Sequence, residues 1–198
     1  MNTATSFDTR KQVLLALFTA IVAVLQLLGA FIRFGPFSIS LVLMPIAVGA
    51  ALIGVFAGAW LGLVFGFVVL LSGDAAWFIS INPFGAVLVV LIKGMLAGLA
   101  AGLVYKLIAE KSKTVAAVLA AVVCPIVNTG IFVIGSYAFF LPDITAWGET
   151  QGFATGAAAI FLGMIGANFL VELGSNIALC PTIVRLIQYG HNRRDRIT

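Results

Sequence analysis

The chain has 198 residues, of which 62% are hydrophobic and only 9% charged, and its mean hydropathy is +1.18. A water-soluble domain carries roughly a quarter of its residues as charges, so this composition excludes one and defines an integral membrane protein. The formal net charge of +4 does not point to nucleic acid, because nearly all the charges fall in short segments between apolar runs, where they report topology.

A mostly polar N-terminal stretch ends in Arg10-Lys11, and the apolar run from Gln12 to Ile32 follows. It has roughly the ~20 residues a helix needs to cross a bilayer. As a signal peptide it would be too long, and Arg33-Phe-Gly-Pro36 is no cleavage site. The first helix is expected over about 12–32. From Phe37 to Leu71 the chain stays apolar for about 35 residues, ~50 Å at helical rise, which is too long for one crossing. Two helices are expected instead, about 37–53 and 55–71, turning near Gly54, with Pro45 kinking the first.

The loop Ser72 to Pro83, with Trp77 and Asn82, precedes a helix at about 84–105, and the basic turn Lys106 to Lys113 leads to another at about 114–141 containing Pro125. A second loop, Pro142 to Gly152, carries Trp147. The last long run yields a helix at about 160–186, its Gly- and Ala-rich beginning left as loop or interfacial helix. The expected fold is an all-α integral membrane protein: a six-transmembrane-helix bundle forming a single domain over residues 1–198. The positive-inside rule tests that count. Arg10, Lys11, Lys106, Lys111, Lys113, Arg185, Arg193, Arg194 and Arg196 fall on the side of the termini, and only Arg33 falls opposite, with Asp74, Asp143 and Glu149. Both termini are therefore expected in the cytoplasm.

Within the apolar runs, glycines at 54, 58, 62 and 66 form one helical stripe and glycines at 94, 98 and 102 another. Small residues so placed let backbones approach closely in lipid, where van der Waals packing holds helices together. Lys93 lies beside the second stripe. An ammonium at mid-span costs on the order of 3 kcal/mol on insertion scales, so it is expected to face the bundle interior with a partner or a ligand. Asn168, Glu172 and Asn176 share a face of the last helix, and Glu172 lies at a depth similar to Lys93, ~15–18 Å from its helix's loop end. The two are expected to meet either as a structural ion pair or as parts of a ligand site. Asn128, near Pro125, is a further candidate, the alternative being a bond to backbone freed by the proline.

Other chemistry is set aside. The sole histidine, His191, is in the C-terminal tail, which leaves no intramembrane nucleophile–His pair and no His-based metal cluster. No G-x-x-x-x-G-K-[ST] phosphate loop occurs, so energy for uphill transport must come from an ion gradient or a partner. Cys124 and Cys180, each within an apolar run, read as buried free thiols. No cofactor is expected.

The last helix-1 feature is Ala16-Leu-Phe-Thr-Ala20, a small-x-x-x-small pair that is weak alone. Together with the expected six helices, the tight hairpin at Gly54 and polar residues on the last three helices, it resembles the S component of energy-coupling factor (ECF) vitamin transporters. The resemblance covers essentially the whole chain. It implies a non-enzymatic substrate-binding subunit of the prokaryotic cell membrane, docking through Ala16 and Ala20 onto a transmembrane T component driven by two ATPase subunits. It also implies that Trp77, Asn82, Lys93, Asn128, Asn168 and Glu172 line or gate the pocket. The segments Leu71-Ser-Gly-Asp-Ala-Ala76, Asn82-Pro-Phe-Gly85 and Cys124-Pro-Ile-Val-Asn-Thr-Gly130 look most like the pantothenate branch. Two other readings stand beside this one. The first is a self-sufficient secondary transporter or channel using a Lys93/Glu172 pair, and the second is a membrane scaffold held by its glycine stripes.

Overall fold

The computed structural model describes residues 9–30, 33–34, 37–38, 41–166, 169–178 and 185. Apart from a two-residue antiparallel hairpin, β1 (Arg33–Phe34) with β2 (Phe37–Ser38), the described elements are helices. They are α1 (Thr9–Gly29), α2 (Leu43–Ile53), α3 (Val55–Leu71), α4 (Ala76–Ile81), α5 (Pro83–Ile108), α6 (Lys113–Phe139), α7 (Leu141–Thr150) and α8 (Gly156–Ala158). Beyond α8 the helix continues as a π-helical stretch, Ala159–Gly166, and is helical again at 169–178.

Four spans among the described residues are long and apolar enough to cross a membrane: Thr9–Gly29, Pro83–Ile108, Lys113–Phe139 and Gly156–Ala178. The protein is thus a multi-pass helical membrane protein. The expected helix over 37–53 is corrected. Its start is taken by the hairpin, and α2 has only 11 residues, ~16 Å at helical rise and short of the hydrocarbon thickness. Pro45 lies in the first turn of α2, where a backbone N–H has no intrahelical partner anyway, so it starts the helix instead of kinking it. The α2–α3 hairpin turns at Gly54, whose φ of 138° is a conformation that L side chains rarely adopt.

Both expected loops contain helix. The first holds α4, and the second is α7 almost from end to end. The final helix begins earlier than residue 160, at Gly156, where Thr155 caps it by accepting from the Ala158 N–H at 3.1 Å.

The glycine stripes on α3 and α5 face each other. A Cβ placed on Gly62 would strike the carbonyl oxygen of Gly94, and one on Gly98 would strike that of Gly58. The two backbones are therefore in direct contact, which only glycine permits. On the other flank of α5, Ala97 and Ala101 are buried among Ala116, Ala117, Ala120 and Ala121 of α6, all at most 1% exposed. The alanine seam on α6 extends the small-residue logic to a third helix.

The buried side chains form two clusters. One joins α1, α2, α3, α5 and α6 through Val22, Leu43, Ile46, Leu61, Phe65 and the alanines. The second gathers Phe78 of α4, Phe140, Ile144 of α7, and Ile160 and Met164 of the π-helical stretch.

Candidate functional site

A cavity of about 90 Å3 lies where these clusters meet, its walls including Phe65, Val69 and Val90 from the first and Phe78, Met164 and Ile165 from the second. A single water needs ~10–15 Å3 on such a measure, so this space holds several waters or a small solute. It lies toward the α3–α4 end of the bundle, where the glycine contact gives way to large side chains.

Lys93 projects from α5 into this space. The stripe Gly94, Gly98 points at α3, and the adjacent position is thereby turned toward the cavity. Its Nζ lies 5.8 Å from the centroid of Phe65 and 5.3 Å from that of Phe132. Cation–π attraction on two sides offsets part of the cost of holding an ammonium away from bulk water. The charges of Glu172 and Asp74 act on it as well. Glu172, 4% exposed, lines the same cavity, so the expected convergence of Lys93 and Glu172 is a shared wall around an open space.

Asn128 comes from α6 and is 5% exposed, and its Oδ1 has no hydrogen-bond partner among the described residues. A buried carbonyl oxygen facing a cavity without a donor costs ~1–3 kcal/mol unless water or a ligand supplies one. The structural alternative expected for it, a bond to backbone freed by Pro125, could come only from its amide N–H and would leave this oxygen unused.

The other expected site residues fare differently. Trp77 does not line the cavity. It stacks edge-on against Phe78, centroids 4.8 Å apart at 83°, and Phe78 in turn meets Phe132 at 5.6 Å and 87°. Trp77 thus braces the ring behind the cavity wall. Asn82 also lies away from it, as the N-cap of α5, where its Oδ1 accepts from the Gly85 N–H at 3.0 Å and Pro83 occupies the first helical position. Asn168 and Cys180 lie outside the described residues. Cys124 is a buried free thiol. Asn176, which shares the Glu172 face, is 4% exposed and is no part of the cavity wall. Among the described residues no group of three His, Cys, Asp or Glu side chains could hold a metal.

Three polar liners lie outside the expected set: Gln26, Asp74 and Thr129. Gln26 of α1, 1% exposed, donates from Nε2 to Oδ2 of Asp74 at 2.6 Å, and both residues face the cavity. A glutamine in the middle of a long apolar run carries the same signal as Lys93. In the sequence Asp74 stands as a topological charge and as part of a segment like the pantothenate branch, and neither names it as a cavity liner. Ala16 and Ala20, expected to dock a partner, are both exposed on α1.

A cavity that brings together a lysine, carboxylates, amides and aromatic rings inside a multi-pass helical bundle is of a kind that can take up a small polar solute. The comparisons place the chain further. The model of the family "ECF transporter, substrate-specific component" matches residues 10–184, and the chain belongs to that family. Its work is substrate binding within a transporter, not catalysis. No curated protein matches the sequence. Among solved structures, that of ThiT from Listeria monocytogenes is similar at a TM-score of 0.62 and 23% identity, covering 89% of this chain and 98% of that one. At that identity the likeness speaks for the fold.

Proposed function

We propose that this chain captures a water-soluble vitamin, pantothenate, from outside the cell and releases it inward when docked on a T component carrying two ATPase subunits. The observation that carries the reading is the Lys93 ammonium held between Phe65 and Phe132 on the wall of a cavity. An ammonium so placed suits a carboxylate. The unpartnered Oδ1 of Asn128 suits a hydroxyl or amide N–H, and the phenyl rings suit a compact aliphatic group. Pantothenate carries all three. Asp74 and Glu172 work against an anion, and the hydrogen bond from Gln26 to Asp74 offsets part of that.

In this reading the bundle crosses six times with both termini cytoplasmic, the short α2 and α3 completing the crossings as a hairpin. The exposed Ala16 and Ala20 give α1 a small-residue face for the T component. Calorimetry of the purified protein with pantothenate tests the ligand: saturable binding is expected, and none sinks the assignment. Replacing Ala16 and Ala20 with Trp should abolish uptake and leave that binding intact. Uptake should also stop on ATP depletion and survive collapse of the proton gradient. The reverse result would favour a secondary transporter working through Lys93 and Glu172.

A further inference from the structure

Gln26 lies near the C-terminal end of α1 and lines the cavity. A buried amide in an apolar helix is costly without an acceptor. Gln26 finds one far along the chain, in the Asp74 carboxylate of the turn between α3 and α4. Elsewhere the helix packs through Leu15, Phe18 and Leu25, and Trp60 Nε1 donates to Thr19 Oγ1 at 3.2 Å. Val22 and Gln26 are the buried residues of α1, while Val13, Leu17, Val24 and Leu28 are each more than half exposed. Asp74 also lines the cavity, and its charge acts on Lys93. One hydrogen bond therefore connects the end of α1, the turn at the cavity's end and the charge balance of the cavity.

We propose that Gln26 is a positioning residue: by donating to Asp74 it fastens the end of α1 against the α3–α4 turn and fixes that carboxylate in the cavity wall, so that substrate exchange requires the pair to open. The tie itself is independent of the ligand. Its effect on exchange rests on the reading of this cavity as the substrate site.

The test uses Gln26→Glu, which keeps the shape but puts an acceptor where a donor is needed and sets two carboxylates together. A space-filling role predicts no change from Gln26→Leu and no rescue of Gln26→Glu by a change at Asp74. The positioning role predicts that, in the ligand-free protein in nanodiscs, amide hydrogen exchange at 24–30 and 72–78 speeds up about ten-fold, in keeping with loss of a charge-assisted bond. Adding Asp74→Asn reverses donor and acceptor and should return exchange at both segments to the wild-type rate. Dissociation of pantothenate should follow the same pattern, about ten-fold faster in the single variant and restored in the double. Gln26→Leu removes the donor without adding charge and serves if Gln26→Glu does not fold. Wild-type exchange in the folded single variants, or failure of the double to restore it, overturns the inference. If the wild-type protein binds no pantothenate, the ligand assignment falls and the hydrogen-exchange arm alone decides the tie.

Discussion

Helix α5 presents two contrasting surfaces one residue apart. Gly94 and Gly98 press backbone to backbone against Gly62 and Gly58 of α3, leaving no room for a methyl group. Lys93, next in sequence, opens onto a cavity ringed by phenylalanines, amides and carboxylates. The first surface is dry and defined by the absence of side chains; the second is defined by polar groups that need partners. In a membrane protein the two depend on each other. Interhelical packing supplies the rigidity that the hydrophobic effect supplies in water, and a rigid frame lets an ammonium be held between rings instead of retreating to the interface.

The sharpest way to break this contrast is to fill the seam. Gly62→Leu should force α3 and α5 apart and cost at least ~3 kcal/mol, more than ordinary overpacking because backbone and not a side chain stands in the way. Thermal unfolding in detergent should reveal it, and binding should fail with the fold. Lys93→Ala, on the cavity side, should leave the melting transition nearly in place and weaken substrate binding by about 2–5 kcal/mol, because the ligand's charge would remain buried without its partner. Titration calorimetry separates the two. If Lys93→Met combined with Glu172→Gln binds normally, the ammonium serves only to balance charge, and Asn128 becomes the better anchor.

Smaller effects sharpen the boundary between frame and site. Asn128→Leu should leave stability unchanged or raise it, since an unpartnered buried oxygen is removed, while weakening binding by ~1–2 kcal/mol. Opposite signs for stability and affinity at one position are the mark of a group kept for a ligand. Asn82→Ala should do the reverse, costing ~1 kcal/mol of stability through loss of the α5 cap with little change in affinity. A large loss of affinity there would return Asn82 to the site that its sequence neighbourhood suggested.

The frame was legible in the sequence because its causes are local and periodic. Apolar runs of bilayer length, glycine stripes at helical spacing and a glycine turn at residue 54 each follow from a few neighbouring residues; the stripes and the turn reappear in the structure, as do four spans of bilayer length among the described residues. The inward setting of Lys93, Glu172 and Asn128 was legible for a similar reason, since polar groups cannot face lipid. Tertiary contacts decided what neighbouring residues leave open. Asn82 and Trp77 sit in a polar loop whose sequence does not reveal that it folds into α4 and the start of α5, making one a cap and the other a brace. The shortness of α2 depends on the hairpin before it. Gln26 and Asp74 are separated by β1, β2, α2 and α3, and nothing in either neighbourhood names the other. Hydropathy and spacing fix which residues must be buried, but a hydrogen-bond partner is fixed only when distant backbones are brought together, here by the packing of α1 against α2 and α3.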